Sequence, residues 1–309
     1  MERAVRLLFK CFPLSAAIKR KIDNKRPLDP IPNGRRIENN IETLVNNSKN
    51  NDSIRFIDGL CVGKFKDINY FLVCSPTDEI EAHVYEHGTW EPHLLDKVHS
   101  ILFGKKTGVF VDVGANIGAI TVPLAKQFPD IRFIAFEPHP YVYERFTRNV
   151  SLNGISNVLC INKAVGNRCG TERQFYAQKN DSTNLGLSGF NLNYDVTDHD
   201  LIVVESVELD IALSDIDDIV LAIKIDVQGT ELDVLKSAMK VIEKDKPIIF
   251  LEYESEYIDD CEEDVQREYM TFFEQLGYDL YYNPLSGSFL PRIELRGYFY
   301  GDIIAFPRK

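Results

Sequence analysis

The stretch V-F-V-D-V-G-A-N-I-G, Val109 to Gly118, decides how the chain is read. Apolar residues flank a single acid, Asp112, and the run stops at Gly114. A continuous apolar run closed by glycine predicts a strand buried on both faces, the kind that parallel sheets contain. Gly114 and Gly118 bracket a tight turn, and Ile120 to Phe128 (I-T-V-P-L-A-K-Q-F) then predicts a helix. Strand, glycine turn and helix make a nucleotide-binding start, with the ligand at the carboxyl end of the strand.

The turn narrows the choice of ligand. A dinucleotide fingerprint has a middle glycine that lets a pyrophosphate reach the backbone; here that position is Asn116. A Walker lysine is absent, which argues against a triphosphate. The turn suits a ligand with a ribose and a cationic amino-acid tail but no phosphate. S-adenosylmethionine has that shape, with Asp112 expected at its ammonium and the turn amides along the rest. The second strand, Arg132 to Phe136, ends in Glu137-Pro138, and Glu137 lies 23 positions after Gly114. An acid at that place hydrogen-bonds a ribose diol. The plainer reading, two acids acting as caps, leaves both at the ends of buried strands without a partner, which is costly.

Outward from this start the alternation is regular. Tyr141 to Leu152 is the helix after the second strand, closed by Asn149 and Asn153-Gly154. Asn157 to Ile161 is a third strand leading into Lys163-Ala164-Val165-Gly166. Arg173 to Gln178 and Val203 to Asp210 are further strands. Between them lies a polar, glycine-bearing loop, Asn180 to Asn193, that contains Ser182 and is expected to order on a ligand. Val220 to Asp226 and Pro247 to Glu252 are central strands that end in acids, joined by a helix over Leu232 to Ile242. Glu262 to Leu276 is a helix, and Tyr278 to Asn283 and Asp302 to Phe306 complete the strands. The pattern predicts an α/β fold: a doubly wound, mostly parallel, seven-stranded Rossmann-like sheet with one antiparallel edge. Residues 106–309 form this domain. Residues 51–105 form a small strand-and-helix extension, in which Trp90-Glu91-Pro92 either folds over the cofactor or caps a helix. Residues 1–50 form a basic arm and linker.

Charge separates these regions. The chain carries −12 over 309 residues, but residues 1–50 hold +6, leaving −18 for the rest. The acidic balance argues against a general nucleic-acid binder. The basic, partly apolar arm allows peripheral membrane contact or simple packing, and no run is long and apolar enough to span a bilayer. The six cysteines, Cys11, Cys61, Cys74, Cys160, Cys169 and Cys261, show no C-x-x-C pair. They read as free thiols in a reducing cytoplasm. His83 and His87 are four apart, a spacing that metal sites use, but no H-E-x-x-H motif accompanies them, and packing is the better reading. No metal site is expected.

D-V-G-A-N-I-G at 112–118, F-E-P at 136–138, Asn149 and K-I-D-V-Q-G-T-E at 224–231 together resemble the FkbM-type S-adenosylmethionine-dependent methyltransferases. The likeness covers about residues 80–309 and implies a class I methyltransferase fold, with transfer to a hydroxyl of a sugar, polyketide or other small metabolite. By this resemblance Asp112, Gly114, Asn116 and Glu137 line the cofactor, and Lys224, Asp226 and Glu231 form the catalytic edge. With their neighbours in the strand-end turns, the expected cofactor contacts are Glu91, Asp112, Gly114, Asn116, Gly118, Glu137, Pro138, Ala164 and Ser182. The chain departs from the family at Gln228, where glutamate is common; glutamine keeps hydrogen-bonding reach but takes no proton.

Methyl transfer is an in-line displacement, and a hydroxyl acceptor benefits from a nearby base. Asp226 and Glu252, with Lys224, are the expected catalytic group; Glu254 and His199, with Glu231, are expected to face the substrate. Three readings stay open at this point: an O-methyltransferase acting on a glycan or small metabolite, a methyltransferase directed at nitrogen, protein or lipid, and a non-catalytic cofactor-binding module. The absence of an N-P-P-Y-like sequence weighs against nitrogen, and the intact strand-end acids weigh against the third.

Overall fold

The computed structural model describes residues 56–57, 60–73, 78–167, 170–179, 184–190, 197, 199–254, 262–283, 290–291 and 300–308. The chain divides into two compact units, Met1–Asp58 and Gly59–Lys309. Of the first unit only a two-residue strand, β1 (Phe56–Ile57), is described, so the expected basic arm of residues 1–50 lies outside the described residues.

The second unit opens with an antiparallel hairpin, β2 (Leu60–Phe65) and β3 (Ile68–Val73). Two helices come next, α1 (Glu79–His87) and α2 (Pro92–Leu102). Helix α1 starts on Asp78, whose carboxylate accepts from the Glu81 amide, and stops at Gly88 in the left-handed conformation, φ 82°. Helix α2 has Pro92 in its first turn, where the missing N–H costs nothing.

The large sheet has eight strands among the described residues. They are β4 (Val109–Val113), β5 (Arg132–Phe136), β6 (Val158–Ile161), β10 (Val220–Ile225), β11 (Ile248–Glu254), β12 (Tyr278–Asn283), the two-residue β13 (Leu290–Pro291) and β14 (Tyr300–Pro307). Their order is β6-β5-β4-β10-β11-β14-β12, with β13 added beyond β12. The strands β4, β5, β6, β10 and β11 pair in parallel. The antiparallel strand is not at the edge as expected: β14 lies between β11 and β12 and pairs antiparallel with both. The chain turns back between β12 and β14 without the crossover that parallel pairing requires, so the last strand slots inside the sheet.

Helices α3 (Thr121–Gln127), α4 (Pro140–Leu152), α5 (Leu209–Ala212), α6 (Glu231–Ser237), α7 (Met239–Asp245) and α8 (Glu262–Gln275) complete the unit. The single helix expected over Leu232 to Ile242 is two, meeting at Ala238. All five residues of β4 are buried. The core joins Val111, Ile134, Ile223, Ile225, Ile249 and Leu251 to Leu235, Phe273 and Tyr278, each such side chain contributing about 1.5–3 kcal/mol on burial.

Helix α4 does more than pack on the sheet. Asn153 accepts the Phe71 amide at 2.9 Å and donates to the Phe71 carbonyl at 2.6 Å. Asn149 accepts the Val73 amide at 2.7 Å and donates to the Ile117 carbonyl at 2.8 Å. These asparagines, read from sequence as helix-closing residues, serve as pairing partners for β3. Arg145, one turn earlier, pairs with the buried Glu81 of α1 and donates to the Val73 carbonyl at 3.2 Å.

A small sheet of β7 (Ala164–Val165), β8 (Glu172–Gln178) and β9 (His199–Val207), in the order β7-β9-β8, is inserted after β6. Strand β9 begins at His199, earlier than expected, and ends before α5. The expectation of free cysteines needs correction: Cys160 is a free thiol, but Cys61 is disulfide-bonded. Disulfide pairing depends on Cα proximity in the fold, which cysteine spacing does not report. With that bond the argument for a reducing compartment loses its basis. Cys11, Cys74, Cys169 and Cys261 lie outside the described residues. Among the described residues no helix is long and apolar enough to cross a membrane, and no group of three or more histidines, cysteines or acids is placed to hold a metal ion.

Candidate active site

The turn after β4 is fixed by the sheet. The amides of Gly114 and Ala115 both donate to the Phe136 carbonyl at the end of β5, at 3.0 and 2.9 Å. Gly114 has φ +84°, and a Cβ there would lie 1.8 Å from the Asp226 carbonyl oxygen. Only glycine fits, because the ends of β4 and β10 close on each other at this point. Asn116 also takes a left-handed φ, 50°, and its side-chain oxygen accepts from the Ile117 amide. Gly118 has φ +86° beside the Phe146 ring; it shapes the turn and lies outside the cavity lining.

At this edge the fold encloses a cavity of about 410 Å³. The core supplies Gly114, Asn116, Glu137, Pro138, Ala164, Lys224, Asp226, Gln228 and Glu252. The start of α1 and the loop before α2 supply Glu79, Ile80, Trp90 and Glu91. The inserted sheet and its loop supply Phe175, Leu185, Leu187 and Phe190. That loop is held in place. The Leu185 amide donates to Asp78, Ser188 accepts the Gln178 amide, and the His199 ring meets the Leu187 carbonyl at 2.9 Å. The part of the expected ligand-ordered loop at 184–190 is therefore pinned by the protein itself; Ser182 lies outside the described residues.

Charge at the cavity is ordered around Lys224, 7% exposed at its side chain. Its Nζ donates to the Gly114 carbonyl at 3.0 Å and to Asp226 at 3.1 Å, and lies 3.5 Å from Asp112. Parallel register sets Lys224 directly beside Asp112, which is how the sequence neutralises an acid inside the sheet. Burial opposes the Lys224 charge, yet Asp226, Asp112 and Glu91 hold its pKa above the usual lysine range. Burial likewise opposes the charge of Asp226, but Lys224 and hydrogen bonds outweigh it and keep the carboxyl below its ordinary value. Gln228 donates to Asp226 at 3.4 Å and to Glu252 at 3.1 Å. A glutamate there would set a third carboxylate against these two; the amide bridges them instead.

Glu137 is 7% exposed and accepts the Asn116 amide at 2.9 Å and the His139 amide at 2.8 Å on its two oxygens. Burial raises its pKa to about 7 against the pull of those amides. Glu91, half-buried, is raised to about 8 by burial and then by Asp302, with Asp226 and Asp112 adding to the effect and Lys224 opposing it.

Three further expected site residues lie off the cavity lining, and a fourth is not placed. Asp112 is 1% exposed and lies behind the lining, where Thr121 donates to it at 2.5 Å; its work is to hold Lys224 and the helix start. Glu231 accepts the Val227 and Gly229 amides at 3.2 and 2.9 Å and so ties the turn after β10 instead of facing a substrate. His199 begins β9 and braces the loop at Leu187. Glu254 ends β11, and its side chain is outside the described residues. Sequence reasoning missed the bridging by Gln228 and the walls from Phe175, Phe190 and Leu185. The loop expected to order on a ligand, Asn180 to Asn193, does supply Leu185, Leu187 and Phe190 to the lining, but no motif singled out these apolar side chains within it.

The strand order, with the last strand antiparallel between β11 and β12, and the glycine turn facing an acid at the end of β5 define a class I methyltransferase fold. Residues 112–280, more than half of the 309, match the model of the Methyltransferase FkbM domain, and the chain belongs to that family. Among curated proteins it is 26% identical over 167 residues to "Methyltransferase 1" of Beauveria bassiana (strain ARSEF 2860), covering 46% of this chain and 63% of that protein. It is 36% identical over 62 residues to "Methyltransferase sdnD" of Sordaria araneosa, 20% of this chain and 24% of that one. The chain therefore spans less than two thirds of either relative. The methyltransferase FkbM of Methylobacillus flagellatus KT, a solved structure, is 17% identical with a TM-score of 0.40, covering 65% of this chain and 44% of that one.

Proposed function

We propose that this protein transfers a methyl group from S-adenosylmethionine to a hydroxyl of a sugar, glycan or related small metabolite. The observation that carries the reading is the pair of carboxylates, Asp226 and Glu252, bridged by the Gln228 amide beside the glycine turn.

The residues present fit the cofactor. The cavity, about 410 Å³, is in the size range of small-ligand sites, roughly 300–1,000 Å³. Each oxygen of Glu137 accepts one amide and keeps acceptor capacity for a ribose hydroxyl. The missing Cβ of Gly114 leaves backbone open at the strand end, and Phe136, Pro138, Val142 and Ala164 offer an apolar bed for a base. S-adenosylmethionine supplies an electrophilic methyl group on a positively charged sulfur.

The chain's own residues do the rest. Glu137 fixes the ribose end. Lys224 keeps Asp226 ionised, and Asp226 and Glu252 would engage the acceptor hydroxyl and orient its oxygen for in-line transfer. The strand β10 runs into Asp226-Val227-Gln228-Gly229 where an N-P-P-Y-like sequence would favour nitrogen. Incubation with methyl-tritiated S-adenosylmethionine and a panel of monosaccharides, short oligosaccharides, hydroxylated small molecules and amines tests the reading. Label recovered as a methyl ether is the expected result. Label on nitrogen, or none on any hydroxyl acceptor, counts against it.

A further inference from the structure

We propose that Glu91 is the group that takes the proton from the acceptor hydroxyl. This rests on the O-methylation reading above and moves the base away from the strand-end acids to the loop before α2.

The backbone gives the first reason. A residue preceding the first turn of a helix ordinarily has an extended conformation and turns its side chain onto the helix amides. Glu91 does neither. Its φ and ψ are 42° and 62°, and its side chain makes no capping bond. A left-handed conformation is strained for an L residue. The rest of the segment holds it there: Leu95 donates to the Glu91 carbonyl at 3.1 Å, and Leu94 and Leu95 are buried. Held in this conformation, Glu91 lines the cavity.

The second reason is comparison with the other carboxylates. Asp226 is engaged by Lys224 and Gln228. Glu252 accepts from Gln228. Glu137 is held by two amides, and Asp112 lies behind the lining. The donors on Asp226 and Glu137 favour their charged forms and so oppose proton uptake, and Glu252 is committed to Gln228 and Asp226. Among the described residues the Glu91 carboxyl takes no such bond. It lines the main cavity and an adjoining narrow recess formed with Leu94, Phe250, Glu252 and Asp302. Charges face it from the packed elements: Lys224 and Asp226 from β10 and the turn after it, Asp112 from β4 and Asp302 from β14, while Glu252 of β11 shares its recess. Only one of these is a cation. Burial and the three acids raise the Glu91 pKa to about 8, so near that pH its ionised form is a stronger proton acceptor than a free carboxylate.

In the step itself a lone pair of the acceptor oxygen forms the new O–CH3 bond. The S–CH3 bond breaks with its electrons left on sulfur, which becomes neutral, and the hydroxyl proton moves to Glu91. One positive charge leaves the sulfur and one negative charge is quenched on the carboxylate, so the cavity's net charge is unchanged apart from product release.

The test compares the full-length protein with Glu91→Gln and Glu91→Asp. The direct readout is proton release when S-adenosylmethionine binds, measured by calorimetry at pH 7 in two buffers of different ionisation heat. A bound cation favours the ionised carboxylate, so the wild type should release more protons than Glu91→Gln, by an amount approaching about one. The second readout is the rate with the hydroxyl acceptor found in the panel. The wild-type kcat/KM for S-adenosylmethionine, which reports the free enzyme, should rise about tenfold per pH unit up to about pH 8 and then level. Glu91→Gln should lose this limb and about 10²-fold or more in rate, while Glu91→Asp keeps the limb at a lower rate. Equal proton release in wild type and Glu91→Gln, or a wild-type pH limb that survives in Glu91→Gln, overturns the proposal. Transfer to nitrogen in the wild type would defeat the parent reading, whereas O-methylation untouched by Glu91→Gln would defeat this one alone.

Discussion

Replacing Gly114 by alanine tests the claim that the strand ends are closed to within an atom's width. At φ +84° an alanine carries about 1–2 kcal/mol of left-handed strain. Its Cβ would lie 1.8 Å from the Asp226 carbonyl oxygen and 2.9 Å from the carbonyl carbon. Both are backbone atoms, so relief requires β4 and β10 to part at their ends, an overpacking cost of about 1–3 kcal/mol. The total is about 2–5 kcal/mol of stability. The same shift displaces the Gly114 carbonyl that accepts from Lys224 at 3.0 Å, and with it the charge pattern around Asp226. Gly154→Ala is the control: its φ is +64°, but nothing lies within 4 Å of the added carbon, so it should lose only the strain. Urea denaturation reads the stability, and calorimetry with S-adenosylhomocysteine reads the site. If Gly114→Ala is no less stable than Gly154→Ala and binds the ligand as wild type does, the reasoning about this turn is wrong.

Buried charges give two further expected outcomes. Arg145→Ala leaves Glu81, 0% exposed, without its cation and should cost about 3–5 kcal/mol by chemical denaturation; the double variant Glu81→Leu, Arg145→Met should recover most of that loss, and no recovery would mean that the pair is not the cause. Glu231 has a pKa raised by burial to about 7, so the folded state holds its proton more tightly than the unfolded chain does. The contribution is fully present below the unfolded value near 4.5 and is lost as pH rises through about 7. Glu231→Gln should therefore show a flatter fall in stability than the wild type between the two values, pH 4.5 and about 7; parallel curves would remove Glu231 from the balance.

The βα core was legible because its signals are local. The apolar run of β4, the stop at Gly114 and the acid at Glu137 each report on a few neighbouring residues, and the structure places them together at one sheet edge. Properties that depend on who meets whom were not legible. Asp112 looks like a ligand contact until parallel register sets Lys224 beside it. Glu231 looks like a catalytic acid until the turn after β10 folds its own amides onto it. The antiparallel position of β14 and the asparagines that pair β3 with α4 are long-range facts, and neither leaves a periodicity. Gln228 stands out as a departure in sequence, but only the 3.1 Å approach to Glu252 explains why an amide serves there.

The measurement that bears most directly on the account is calorimetric titration with S-adenosylhomocysteine and, separately, with NAD. The cavity at the carboxyl edge of β4 and β5 should bind the first and not the second, since Asn116 occupies the place of the pyrophosphate glycine. Glu137→Ala should weaken that binding by about 1–3 kcal/mol through loss of a charge-assisted hydrogen bond to the ribose. Binding of NAD without S-adenosylhomocysteine, or a folded Glu137→Ala protein with unchanged affinity, would contradict the account.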